Sequence, residues 1–264
     1  MYQAYWGLAQ SPFAAHMSRA ALAASPAHAE ALARLDFLRE SGGQFGLLIG
    51  NAGSGKSVVL AEFAQRAQRA GSLVCLIASA AADEPQLVVP LALGLQAPAR
   101  GEPWQLWQLW QAIADRLQEL KLDNLTAMVL FDDLDRAGKS ALDLVERLLA
   151  VAGASLTIVA SSRSQSLPAL GSRLLDRADL RIDLATWSED EARDHLRSSL
   201  ARAGRQDPAF DPAATRRLFE LSGGVPRKLN QLAQLALIAG ASQKLNQIDA
   251  DTIDAVNEEL CLVR

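Results

Sequence analysis

The sequence predicts an α/β fold, a parallel five-stranded sheet with interleaved helices, followed by an all-helical subdomain. Three observations carry this. Short apolar runs alternate with helical patterns as far as Leu184, the order that gives a parallel sheet. Beyond Leu184 the strand-like runs stop and helical patterns alone remain. A glycine-rich loop, GNAGSGKS at 50–57, joins the first apolar run to the helix behind it. The boundary falls between 1–186 for the α/β domain and 187–264 for the helical subdomain.

The elements follow in order. SPAHAEALARLDFLRE (25–40) reads as a helix, with Ser25 as cap, Pro26 in the first turn and Gly42-Gly43 as the stop. FGLLI (45–49) is apolar throughout, as a strand buried on both faces requires. A helix over about 56–70 follows the loop. LVCLI (73–77) is the second strand, 102–120 a helix, AMVLF (127–131) the third strand and 140–152 a helix. LTIVA (156–160) and LRIDL (180–184) complete the sheet. In the helical part, Ser188 with Glu191 forms a capping box for 188–204. Asp211 and Pro212 open the next helix, and VPRKLNQLAQLALIAG and DADTIDAVNEELCL are two more.

GNAGSGKS fits G-x-x-x-x-G-K-[ST], and its placement between a strand and a helix is the context that pattern needs. Glycines let the backbone curl so that several N–H groups converge on phosphate oxygens. The helix N-terminus behind them adds partial positive charge. The predicted nucleotide-binding set is Gly50, Asn51, Ala52, Gly53, Ser54, Gly55, Lys56, Ser57 and Val58. Lys56 is expected to reach the β/γ-phosphates and the Ser57 hydroxyl to ligate Mg²⁺.

The strand AMVLF runs into Asp132, Asp133 and Asp135. Carboxylates side by side cost free energy unless a positive object lies between them. A metal ion on a triphosphate supplies it. Asp132 is expected to hold Mg²⁺, mostly through water. Asp133 is expected nearer the γ-phosphate, where a carboxylate orients or activates the attacking water. Asp135, two residues on, reads as a turn or cap residue.

Composition narrows the class. Half of the 264 residues are hydrophobic, enough for a sizeable core, and a net charge of −4 is no footprint of an obligate nucleic-acid coat. Cys75 and Cys261 are too few for a disulfide scaffold and fit a reducing cytoplasm. MYQAYWGLAQSPF does not read as a signal peptide, and LVVPLALGL (87–95) is far short of a membrane helix, so no membrane insertion is expected. Trp104, Trp107 and Trp110 fall on one helix flank, read as core with a partner-contact surface as the alternative. His16, His28 and His195 lack metal-ligand spacing and read as surface or packing residues. Arg193, Arg197, Arg202, Arg205, Arg216 and Arg217 cluster on helices. Acidic neighbours Glu189, Asp190, Glu191 and Asp194 favour a solvated, ion-paired face over a DNA surface.

GNAGSGKS, VLFDD and the later SGGVPRKLN together resemble an AAA+ ATPase with its helical lid. Trp6-Gly7-Leu8, Pro12-Phe13 and Ser25-Pro26-Ala27-His28 are similar to the N-terminal layout of the general secretion pathway A-type (ExeA-like) ATPases, close to transposition helper ATPases. The resemblance spans essentially the whole chain. It implies that Arg227, in the GGxPR segment, is a sensor-2 arginine reaching the γ-phosphate. It also implies that Arg177 stands at an arginine-finger position completing a neighbour's site in a homo-oligomer. The family's polar sensor-1 residue falls on Ser161 or Ser162, with Ser162 preferred. One departure bears on rate: Asp133 stands where the family usually has Glu, which suggests slow turnover. The expected function is a cytoplasmic, oligomeric ATPase. It would bind ATP and Mg²⁺ between the domain and the lid, and hydrolysis would drive rearrangement of a protein partner not identified by sequence. A slow DNA-associated adaptor is the alternative, and a small-molecule P-loop kinase a weaker third reading.

Overall fold

The computed structural model describes residues 2–13, 25–98, 105–151 and 153–262. His16, Trp104 and the expected start of the 102–120 helix lie outside them. The strands are β1 (Phe45–Gly50), β2 (Leu73–Ala78), β3 (Ala127–Asp132), β4 (Leu156–Arg163) and β5 (Leu180–Leu184). The helices before β3 are α1 (Tyr2–Trp6), α2 (Pro26–Glu40), α3 (Lys56–Arg69), α4 (Glu84–Gly94) and α5 (Leu106–Leu122). After β3 come α6 (Lys139–Val151), α7 (Gly171–Asp176), α8 (Glu189–Arg202), α9 (Pro212–Ser222), α10 (Pro226–Ser242) and α11 (Ala250–Leu262).

Two compact units result. One takes in Glu30–Asn51 and Lys56–Leu184, the other Met1–Ala29, Ala52–Gly55 and Ala185–Arg264. In the first, the five strands are parallel in the order β2-β3-β4-β1-β5. All of β1 is buried, as its unbroken apolar run requires. Phe45, Leu47, Val129, Phe131 and Ile158 join side chains of α4, α5 and α6 in one core. The chain reverses after α2 through Gly42, at φ +71°, with Gly43 N–H returning to the Leu38 carbonyl.

Helix α4 was not foreseen. Pro90 lies inside it, and a mid-helix proline costs about 3 kcal/mol or more. Leu87, Val88, Leu91 and Ala92 are buried in the sheet-unit core, and each large apolar side chain contributes roughly 1.5–3 kcal/mol, so packing outweighs the broken rung. The start is well specified: Asp83 accepts from Gln86 N–H while the Gln86 side chain accepts from Asp83 N–H, a closed capping box.

The helical unit is built from α8 to α11 and the N-terminal segment. The Ser188–Glu191 capping box forms as expected, and the Asp211 carboxylate accepts from Ala214 N–H at 2.6 Å. Trp6, Leu8 and Phe13 are buried with Trp187, Leu196, Leu229 and Leu237. The Trp6 indole donates to the Leu237 carbonyl at 2.7 Å. This burial groups Trp6, Leu8 and Phe13 with the helices. The loop tip 52–55 falls in the same unit.

Candidate active site

The Gly50–Val58 loop leaves the end of β1 and enters α3. Its turn needs backbone angles that favour glycine: Gly53 has φ +83° and Gly55 φ +104°. Lys56 is 5% exposed, and its ammonium donates to the carbonyls of Gly50 at 2.9 Å and Asn51 at 3.0 Å. Burial lowers its pKa, opposed by the charges of Asp133, Asp132 and Asp135, while Arg163 adds to the lowering. Asn51, Ala52 and Ser57 are exposed, Gly53, Gly55 and Val58 half-buried and Ser54 buried. Gly50, Asn51, Lys56, Ser57 and Val58 lie in the sheet unit, and Ala52, Gly53, Ser54 and Gly55 in the helical unit.

Within the sheet unit, Asp132 ends β3 and receives the Ser161 hydroxyl at 2.6 Å. The same Ser161 Oγ accepts the Asp133 backbone N–H at 2.8 Å. Asp133 has φ 54° and ψ 44°, a left-handed conformation that costs a non-glycine residue about 1–3 kcal/mol. Ser161 is therefore the serine that touches the acidic pair. Ser162, the preferred sensor-1 candidate, is buried and donates to the Arg163 carbonyl at 3.1 Å instead. Side chains alternate across a strand, so one neighbour meets Asp132 and the other does not.

Asp135 is a turn residue, as expected, with an ion-pair partner besides. It lies in the short 3₁₀ turn Leu134–Arg136, but its carboxylate is fully buried and accepts from Arg163 Nε at 2.7 Å. It is a buried ion-pair residue. Lys56, Asp132, Asp133, Asp135, Ser161 and Arg163 thus share one region of the sheet unit, close enough for the carboxylates and Arg163 to act on Lys56. Asp133 also faces Arg136, with 3.6 Å between Oδ2 and Nη1. Arg177 is exposed, and its guanidinium donates to the Leu149 carbonyl at 3.0 Å.

Within the helical unit, the backbone N–H of Arg227, near the start of α10, donates to the Gly53 carbonyl at 3.3 Å, while its side chain is exposed. A Cβ on Gly53 would lie 2.8 Å from the Arg227 Cβ, so the loop passes this helix at glycine distance. His28 is fully buried, with Nε2 3.0 Å from the Ser54 carbonyl; a carbonyl only accepts, so Nε2 carries the proton. Burial lowers the His28 pKa. His28 therefore braces the loop, a role the sequence reading missed. The Ser-Pro-x-His spacing was the available signal. His195 is buried against Trp187, with Nε2 2.7 Å from Asn230 Oδ1, and burial lowers its pKa to about 4.

The chemistry of the donors fits Mg²⁺ delivered with a nucleotide. No cluster of three or more His, Cys, Asp or Glu suited to a metal occurs among the described residues. Mg²⁺ is usually held by one or two protein oxygens, phosphates and waters, and Ser57 and Asp132 carry oxygen donors of that class.

Residues 39–166 match a family described as AAA domain. General secretion pathway protein A of Aeromonas hydrophila is 27% identical over 275 residues, covering 100% of this chain and 49% of that protein. The chain thus spans about half the length of this relative. Cdc6p from Pyrobaculum aerophilum superposes with a TM-score of 0.69 at 15% identity, over 89% of this chain and 67% of that one. The Aeropyrum pernix Orc1 protein, solved in complex with DNA, gives 0.62 at 17% identity, over 86% and 64%. The Holliday junction branch migration motor RuvB of Thermotoga maritima gives 0.56 at 18% identity, over 88% and 68%. These structures share the fold: a P-loop parallel sheet with a C-terminal helical lid, the AAA+ architecture.

Proposed function

We propose that this chain is a slow ATPase of the secretion-pathway A type. It binds ATP with Mg²⁺ on the Gly50–Val58 loop and uses hydrolysis to drive conformational change or assembly of a partner complex. The observation that carries the reading is the placement of Lys56 in the field of Asp132 and Asp133, beside a loop whose glycines fit a phosphate cradle. Backbone N–H groups of the loop bind phosphate oxygens, and Lys56 neutralises the terminal ones. The bound cation supplies charge neutralisation of the phosphates, with Ser57 and Asp132 as its protein ligands. Ser161 fixes the Asp132 carboxylate and the Asp133 backbone together. Asp133 orients the attacking water, and Arg227 is the arginine offered to the γ-phosphate.

An aspartate in place of the family's glutamate is shorter by about 1.5 Å, and a displacement on that scale can lower a rate about a hundredfold. This supports slow turnover. A homo-oligomer completed by Arg177 and a cytoplasmic location belong to the same proposal. Among the described residues no helix is long and apolar enough to cross a membrane. A second reading, a slow DNA-associated adaptor resembling transposition helpers, draws on the Orc1 neighbour solved with DNA. Arg193, Arg197, Arg216 and Arg217 of the helical unit pair with Asp190, Asp194, Glu220 and Asp254, carboxylates that a polyanion would have to displace.

The test is a calorimetric ATP·Mg titration of Lys56→Ala beside the parent, with phosphate release followed in parallel. Loss of tight binding with an unchanged thermal melt is expected. Equal affinity in the two proteins would remove the loop from the site.

A further inference from the structure

The helical unit contains a groove of about 780 Å³ that the ATPase reading does not use. It runs along α8 and the segment leading into α9. Its floor includes Leu196, Leu200 and Phe210, and its rim includes Arg193, Arg197 and Arg216. A volume in the range of roughly 300–1,000 Å³ with an apolar floor and convergent charges is the form of a ligand site. Glu189 and Asp207 also line it, but the arginines, with Arg205, outnumber them.

The rim arginines are bound only loosely to their own chain. Arg193 pairs with Asp190, Arg197 with Asp194 at 3.1 Å and Arg216 with Glu220 at 3.3 Å. All six side chains are well exposed, and exposed pairs within one helix contribute at most about 0.5 kcal/mol. Exchanging these carboxylates for those of an incoming ligand costs little.

Charge complementarity and pitch identify the occupant. Arg193 and Arg197 are one helical turn apart, the spacing of carboxylates at i and i+4 on another helix. The buried floor asks for apolar side chains on the same ligand. A phosphate backbone offers none. A second copy of this chain does not present its acidic α11 either, because Ile253 and Val256 of that helix are buried in its own unit. We propose that this groove docks an acidic amphipathic helix of a protein partner. Its leucine-type face lies on Leu196, Leu200 and Phe210, and its carboxylates meet Arg193, Arg197 and Arg216.

The probe is a fluorescein-labelled peptide of about four helical turns, with Leu and Phe at i, i+3, i+4 and i+7 and Glu elsewhere. Anisotropy is read against the full chain, its Arg193→Glu/Arg197→Glu variant and Ala213→Trp, which fills the groove from an exposed lining position. Binding to the parent is expected, weakened about tenfold or more in both variants. A peptide with Lys replacing the rim-facing Glu should recover affinity for the charge-reversed protein, which a merely unfolded variant would not allow. Absence of peptide binding up to about 1 mM overturns the proposal. So does binding indifferent to Ala213→Trp. Duplex DNA bound in place of the peptide, lost on charge reversal and kept in Ala213→Trp, would reassign the arginines to a polyanion surface.

Discussion

Asp133 is held in a left-handed backbone conformation by the Ser161 hydroxyl, which also fixes Asp132. The proposed water-orienting carboxylate is thus aimed by a second residue, and two variants separate their parts. Asp133→Asn should keep ATP binding and lose most hydrolysis, while Asp133→Glu should raise the rate if the short side chain limits turnover. Ser161→Ala leaves the Asp133 N–H without its partner, a loss of about 1–3 kcal/mol. It should slow phosphate release by about tenfold or more, whereas Ser162→Ala should not. Equal effects of the two alanines would return sensor-1 to an open choice. His195 carries a pH prediction. Its folded pKa, about 4, lies below the ordinary 6.5 because burial disfavours the cation. Between those values the unfolded chain binds a proton that the folded chain refuses. The stabilisation is complete above about pH 6.5 and is lost as pH falls toward 4, amounting to roughly 3 kcal/mol. His28, shifted the same way, adds to the slope. Urea midpoints should fall between about pH 7 and about pH 5, and His195→Gln should flatten that fall. A slope unchanged by the substitution would place the titration elsewhere.

Elements were legible where local sequence determines them. β1, β3 and β5 follow their apolar runs, and the caps at Ser188 and Asp211 form as their residue types require. Helix α4 was hidden because Pro90 argues against it locally, and only burial against the sheet overrides that. The site divides the same way. Lys56 and Asp132 carry a motif or end a strand, so their placement could be anticipated. The Ser161–Asp132 and Arg163–Asp135 contacts join residues 29 and 28 positions apart through sheet order, which no local pattern encodes. His28 at the Ser54 carbonyl is of the same kind. The loop itself offers a prediction at this scale. Gly53 and Gly71 both have positive φ, yet a side chain at Gly53 would meet Arg227 while one at Gly71 would meet nothing within 4 Å. Gly71→Ala should cost stability alone, about 1 kcal/mol. Gly53→Ala should also displace the phosphate loop and weaken ATP binding by about tenfold or more. Titrations of the two variants decide it, since matching affinities would mean that the Arg227 contact does not shape the loop.

At the scale of the whole molecule, the question is whether one chain holds a complete site. Lys56, Asp132, Asp133 and Ser161 lie within the sheet unit, but the described exposed arginine at the expected finger position, Arg177, donates to the Leu149 carbonyl. That single bond, on an exposed side chain, is worth about 1 kcal/mol and is readily exchanged for a phosphate contact. A guanidinium delivered by a neighbouring copy would neutralise charge on the transferred phosphoryl group, an effect worth about 10³–10⁵ in rate where such fingers act. Hydrolysis should then rise more steeply than linearly with protein concentration. Arg177→Ala should bind ATP as the parent does and turn over far more slowly. Mixing it with Lys56→Ala should restore part of the activity, because one protein keeps an intact phosphate loop and the other an intact arginine. Phosphate release across a dilution series, for each variant alone and for the mixture, measures both effects. Strict proportionality to concentration, with no recovery on mixing, would make the site complete within one chain and leave Arg177 as a surface residue tied to Leu149.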